Sequence, residues 1–377
     1  MRIYLCPALM DWLIFLVHFA VLYAAGERAL TIGRCAWLGG VFQVAYLCTS
    51  MAVGLVLTRA RARAWLLAST AVSLVAAIAC IFLVRYGWLL AALGTFGVSS
   101  AVFFNSFQTF MRGESAPGGL ARSVGWYTLA WSGGSGLGML SAGLMYRSGL
   151  WALSGLSAGV CVVIFAVLLR HRTRPVGELS SNEHVEQGSA RARAVDPRYV
   201  RVAWVVIFTA MFMQRPIQNF FPALSARQGI SASAAGIPLF LLMIVQGVSG
   251  AAFIRFRDCL YRRTPLWTMH AAGTVILLAL WRWPSYWMSV IGIGALGIYT
   301  GFAYYSAVYY ASNSGRRSFN IGINEFLVGV GSFAGLFVCE AWMRRSGSDQ
   351  SLYLVCAAAL AVSAVVQVAL VSGRKRA

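Results

Sequence analysis

Lysine is almost missing from this 377-residue chain: Lys375 stands alone against 30 arginines. Acidic residues are scarce too, 11 in all, and there are four histidines. Charged residues make up 11% of the sequence, where a soluble domain carries roughly a quarter, and hydrophobic residues make up 59%, where about half is usual. That balance excludes a soluble globular protein. The eight cysteines, at 6, 35, 48, 80, 161, 259, 339 and 356, never fall in a C-x-x-C spacing, and seven lie in or beside apolar stretches. They read as small buried residues, with no zinc, haem or iron-sulfur pattern among them. No Walker-type Gly-x-x-x-x-Gly-Lys-Ser/Thr segment occurs, so no nucleotide site is marked. Nor does a His-rich, paired-carboxylate or nucleophile motif gather at one place, which argues against an enzyme. No metal and no cofactor is expected.

What fills the chain is a succession of apolar runs. A helix needs about 20 apolar residues to cross a bilayer, so twelve crossings use roughly 240 residues and leave about 11 for each connection. Twelve spans are predicted, at 7–25, 36–57, 64–84, 88–110, 123–146 and 150–169, then 202–222, 233–254, 265–281, 286–311, 319–342 and 351–371. The first could pass for a secretory signal, since Arg2 precedes an apolar stretch ending in Ala24, Ala25 and Gly26. Asp11 interrupts it, however, and cleavage would leave an odd number of spans, so it is read as the first transmembrane helix.

The net charge of +20 suggests nucleic acid, but the arginines sit in short clusters between apolar stretches and form no single basic stripe. With the N-terminus inside, 22 basic residues fall on inner connections and 8 on outer ones, which leaves Arg215 alone within a span. That excess places both termini in the cytoplasm, for a bacterial-type inner membrane. The long polar stretch 171–201 carries Glu178, Glu183 and Glu186 among its arginines, with Pro175 and Pro197 near its ends, and reads as a cytoplasmic linker. The expected organisation is therefore a six-helix half over 1–170, the linker over 171–201, and a second six-helix half over 202–377. The halves echo each other, Arg122 and Ser123 recurring as Arg317 and Ser318, and Gly134 and Gly136 as Gly329 and Gly331, all at an offset of 195. Equal topology in both halves means a parallel repeat about an axis along the membrane normal, a transporter arrangement.

Two segments resemble the major facilitator superfamily. After the second span, Gly54, Arg59 and Arg63 match a glycine, acidic, basic, glycine, basic signature, with Thr58 at the acidic position and Arg61 at the second glycine. The glycines from Gly125 through Gly133, Gly134, Gly136 and Gly138 to Gly143 are similar to that family's glycine-rich fifth helix, without the Gly-Pro pair associated with antiporters. The resemblance implies alternating access around a cavity between two six-helix halves, with Gly54, Arg59 and Arg63 in a conformational loop. The same glycines also suit close helix packing in lipid.

An ionisable group inside a span is a functional hypothesis by default. Arg215 lies about 13 residues into the seventh span, roughly 20 Å at 1.5 Å per residue. Gln218 and Asn219 follow it at three and four positions, on one face, and Gln214 precedes it. A guanidinium grips carboxylates bidentately, so Arg215 is read as an anchor for an anionic substrate; pairing with Glu340 is the structural alternative. Pro216 is expected to loosen the helix there. Asp11 and His18, two turns apart on the first span, are candidates to take and release a proton. Glu325 joins them as a charge present in only one half, at the position matching Ala130, with Arg316 and Arg317 as the ion-pair alternative. His270 is read as a satisfied interface residue. Most of Tyr299, Tyr304, Tyr305, Tyr309 and Tyr310 suit interfacial aromatic belts. The deeper Tyr304 and Tyr305, with Asn105, Gln108, Tyr127, Trp131 and Gln246, are candidates for a mixed polar and aromatic cavity lining suited to a small organic molecule.

The sequence thus reads as an all-α polytopic membrane protein with twelve transmembrane helices in two six-helix halves. Its expected function is proton-coupled secondary transport of a small organic solute. Expected partners are that solute, protons or another coupling ion, and the lipid bilayer, with no nucleic acid and a monomeric unit. The rivals are a non-transporting sensor or scaffold that kept the fold, and an exporter of lipophilic compounds.

Overall fold

The computed structural model describes residues 2–114, 120–171, 197–256, 259–260, 262, 264–312 and 317–372. All regular structure among them is helical. The twelve α-helices are α1 Leu5–Glu27, α2 Ile32–Val56, α3 Arg59–Phe82, α4 Tyr86–Glu114, α5 Leu120–Met145, α6 Leu150–Arg170, α7 Pro197–Arg227, α8 Ala232–Arg255, α9 Thr264–Arg282, α10 Tyr286–Ser312, α11 Arg317–Ser346 and α12 Ser351–Ser372. Each coincides with one of the twelve predicted spans. Residues 172–196 of the expected linker lie outside the described residues. Its last five do not belong to a linker: Pro197 opens α7, because a proline at the first helical position gives up only an amide that has no helical partner anyway. Gly229 at φ +73° and Gly347 at φ +65° sit just past the ends of α7 and α11 in left-handed backbone, where a side chain would be strained.

Eleven of these helices are long and apolar enough to cross a membrane. The twelfth, α5, is long enough, but six glycines and four serines dilute its hydropathy. Exposure follows the rule for lipid. Large apolar side chains such as Leu55, Val75, Trp151 and Val365 are exposed, while Ser73, Ser100, Ser132, Ser157, Ser306 and Ser332 are fully buried. Lipid tails are as apolar as leucine, so helices associate through small residues and buried hydrogen bonds. Six of the eight cysteines are buried as expected; Cys48 is exposed and Cys259 half-buried.

The chain divides into two compact units, Met1–Val21 with Trp37–Arg193 and Leu22–Ala36 with Ala194–Ala377. In the first unit α3 packs on α4 and α6. Gly134 and Gly138 of α5 press on the carbonyls of Ala8 and Trp12 in α1, and a Cβ on either glycine would collide with that backbone. In the second unit α8 packs on α10, α7 on α10, α11 and α12, and α9 on α12. Gly331 and Gly335 of α11 press likewise on the carbonyls of Phe208 and Phe212 in α7.

These contacts set the register of the repeat. Gly94 faces Val41 and Gly97 faces the Phe42 carbonyl in one unit; Gly294 faces Leu241 and Gly297 the Leu242 carbonyl in the other, an offset of 200. Ala8 and Trp12 correspond to Phe208 and Phe212 at the same offset, but Gly134 and Gly138 correspond to Gly331 and Gly335 at 197. The offset of 195 read from sequence is therefore corrected to 197 for α5 and α11, the connection before α11 being three residues shorter. Glu325 then matches Thr128, not Ala130.

The prolines inside helices explain two further contacts. Pro216 removes the amide that would bond the Phe212 carbonyl. The expected loosening does not break α7, and Gly335 lies against that freed oxygen. Pro238 does the same to the Ala234 carbonyl in α8, and the Tyr286 hydroxyl donates to it at 3.2 Å. Replacing Gly138 with alanine should lower stability by about 1–3 kcal/mol through overpacking. Gly155→Ala on α6, where nothing lies within 4 Å of an added Cβ, should instead gain about 0.5–1 kcal/mol from helix propensity. Thermal unfolding of the two variants side by side checks both, and equal midpoints would refute the close approach of α5 to α1.

Candidate functional site

In the second unit, one face of α7 meets α8 through a polar cluster. Gln214 and Gln218 are buried, and the carboxamide nitrogens of both donate to the Met243 thioether of α8, at 3.2 and 3.1 Å. A thioether is a weak acceptor. Arg215 between them is half-buried, and its Nη1 donates to Gln218 Oε1 at 3.4 Å. Gln214 Oε1 is buried and has no hydrogen-bond partner among the described residues. Gln246, one turn beyond Met243 on α8, is fully buried, and the Tyr304 hydroxyl of α10 donates to the Met211 thioether at 2.8 Å. Gln214, Arg215 and Gln218 are thus brought together as expected. Tyr305 is half-buried and stacks between Phe253 and Tyr309. Glu340, the alternative partner for Arg215, lies 3.6 Å from Arg344 Nε on its own helix.

Asn219 departs from the expectation. Its Nδ2 donates to the Cys35 carbonyl at 2.9 Å, with both residues buried. It therefore fastens the α1–α2 hairpin tip, which belongs to the same unit. Three other contacts hold that tip. The Tyr23 hydroxyl donates to the Ile230 carbonyl at 2.8 Å, Arg227 donates to the Leu30 carbonyl, and Gly26 lies against the backbone of Ala223.

The first unit carries the other candidates. Asp11 is buried, and His18 packs edge-on against Phe42 with ring centres 4.5 Å apart while its Nδ1 faces the Ile14 carbonyl at 3.0 Å. Seven residues separate the two by about 10 Å along α1, so direct proton exchange between them needs an intermediary. Asn105 Nδ2 bonds the Ala101 carbonyl and Ser50 Oγ at 2.8 and 3.1 Å, and Gln108 Nε2 reaches the Tyr127 hydroxyl at 3.5 Å. Tyr127 and Trp131 are half-buried on α5. Glu325 is exposed on α11 in the second unit; Arg316 lies outside the described residues.

The loop after α2 is built differently from a charge relay. Gly54 has open space where a Cβ would stand, and Thr58 precedes α3 without a side-chain cap. Arg59 is half-buried, while Arg63 Nη2 donates to the Leu169 carbonyl at 3.0 Å. That oxygen is in the last turn of α6, where carbonyls lack helical donors and a cation is favoured. Two tyrosines assigned to aromatic belts are interior instead: Tyr310 donates to the Leu260 carbonyl and Tyr299 contacts His270, and both are buried. Nothing in the spacing of Met211 and Met243 marks them as acceptors; only the neighbouring amides reveal it.

Residues 3–335 match the family model of the Major Facilitator Superfamily. The chain belongs to that superfamily. No curated protein matches its sequence. Among solved structures it is similar to a bacterial homologue of the human lysosomal transporter Spinster in an inward-facing, occupied conformation, with 16% identity, a TM-score of 0.71, and 98% of this chain and 96% of that one covered. The inward-facing, unoccupied structure of a bacterial Spinster homologue gives 14% identity and a TM-score of 0.64, covering 98% and 95%. At such identities the likeness establishes the superfamily fold, twelve helices in a membrane protein, and leaves the site to this chain's own residues.

Removing the Asn219 amide should deprive the Cys35 carbonyl of the side-chain donor it has besides its own helical bond, at a cost of about 1 kcal/mol. In a variant that keeps Cys35 as its single cysteine, Asn219→Ala should speed labelling by a membrane-impermeant thiol reagent about fivefold or more for the same loss. An unchanged rate would mean that the amide does not hold the hairpin tip.

Proposed function

We propose that this superfamily member is a secondary transporter of a small organic anion, working by alternating access in an inner membrane, with both termini cytoplasmic and protons as the coupling ion. The observation that carries this reading is the pair of glutamine amides resting on one thioether beside a guanidinium. Donors held against so weak an acceptor gain when an anionic oxygen replaces the sulfur, since hydrogen bonds to charged groups are the stronger ones. Gln214 Oε1, a buried acceptor, would in turn accept from a hydroxyl or ammonium on the same solute. The substrate class is then an organic anion that also carries a hydrogen-bond donor. Asn105, Gln108, Tyr127, Trp131, Gln246, Tyr304 and Tyr305 serve as lining candidates, and Asp11, His18 and Glu325 as proton carriers.

The second reading, a non-transporting sensor, is favoured by one observation: Arg63 is engaged as a cap on α6 instead of facing an acidic partner in its own loop. Flux in proteoliposomes separates the two.

Arg215→Gln should weaken binding of organic anions about tenfold or more, the value of a lost charge-assisted bond, with little change in unfolding of the free protein. Ligand-induced thermal stabilisation reads both quantities, and unaltered binding removes Arg215 from the site. Asp11→Asn or His18→Gln should abolish accumulation driven by a pH gradient yet spare exchange of labelled substrate. Loss of both activities together assigns the residue a structural role.

A further inference from the structure

Away from the α7 face, a second polar cluster closes the seam between α9, α10 and α12. At its hub His270 is fully buried, with Tyr299, Ser363 and Gln367 buried around it. The His270 Nδ1 lies 2.8 Å from the Leu266 carbonyl. A carbonyl only accepts, so Nδ1 carries the hydrogen and the neutral ring presents Nε2 as an acceptor. Three donors converge on that nitrogen: Gln367 Nε2 at 2.8 Å, the Tyr299 hydroxyl at 3.2 Å and the Ser363 hydroxyl at 3.3 Å. Gln367 also donates to Ser363 Oγ at 2.9 Å, while its own Oε1 is buried with no hydrogen-bond partner among the described residues. A Cβ on Gly273 would come within 2.7 Å of the Leu360 side chain, so α9 and α12 pack closely beside the cluster.

We infer that His270 is a proton-binding site and that its protonation releases α12 from α9 and α10. A proton on Nε2 turns the common acceptor into a donor. Both hydroxyls can reverse to accept, and the Gln367 amide can rotate to present its oxygen, but the positive charge then stands among fully buried side chains. The titratable side chain facing the ring is the Tyr299 phenol, on α10. Neither α9, α10 nor α12 contains an aspartate or glutamate, and Arg282 lies at the far end of α9. No carboxylate on the packed helices balances the charge, whereas an opened, hydrated seam would. The closed seam therefore has its full strength above about pH 6.5, the ordinary range of imidazole, and loses it as pH falls below. The corresponding seam of the first unit has Thr70 and Ser99 where this one has His270 and Tyr299, with Ser73 and Ser99 hydrogen-bonded at 2.8 Å. Neither of these two positions carries a side chain that titrates near neutral pH.

Hydrogen exchange of the purified full-length protein, corrected for the intrinsic pH dependence of exchange, tests this within one molecule. Between pH 7.5 and 5, protection of α12 amides should fall up to about 30-fold, 1.5 pH units below the imidazole range, while α6 amides keep theirs. The double variant His270→Phe/Gln367→Leu should abolish the loss in α12. Equal losses in α6 and α12 of the wild-type protein overturn the proposal whether or not the variant folds, and so does an undiminished loss in a folded double variant.

Discussion

In hydrocarbon no water is present to take up a backbone carbonyl or a buried amide, so each must find its partner within the protein. That constraint explains the least obvious contacts of both bundles. Pro216 and Pro238 each deprive a carbonyl of its helical donor, and the neighbouring helices answer differently: α11 brings the backbone of Gly335 against Phe212, and α10 brings the Tyr286 hydroxyl to Ala234. A Cα–H contact to oxygen is worth about 0.5–1 kcal/mol, less than a hydroxyl bond. It requires backbone contact, and so it requires glycine. The low hydropathy of α5 has the same origin, because the residues that let it touch α1 are those that hydropathy undervalues.

The helices were legible in the sequence because length and apolarity alone define a membrane span. The α7 cluster was legible for a related reason: Gln214, Arg215 and Gln218 stand out in an apolar run and are close enough in sequence to share a surface. What could not be read was where each polar group sends its hydrogens. Asn219 belongs to the same run as Gln218 but bonds Cys35, 184 residues away. Tyr299 and Tyr310 looked interfacial because tyrosines favour that depth, yet their hydroxyls find Nε2 of His270 and the carbonyl of Leu260 inside the bundle. The register of the repeat failed for a different reason. Gly134, Gly136 and Gly138 of α5 stand two residues apart, as do Gly329 and Gly331 of α11, and only backbone contact decides which glycine corresponds to which.

With the register fixed, the repeat divides positions into two kinds. Those that hold helices together are duplicated, as Gly94 and Gly97 are by Gly294 and Gly297. The polar positions proposed for function are not: at the same offset of 200, Asp11 becomes Met211, Phe15 becomes Arg215, His18 becomes Gln218, and Gln43 becomes Met243. The amide-rich face of α7 and the thioether of α8 therefore arose where the two halves differ. A common frame keeps the backbone contacts that any motion of such helices must preserve, and divergence at the remaining positions lets one unit hold the guanidinium while the other holds the buried carboxyl of Asp11 and the imidazole of His18.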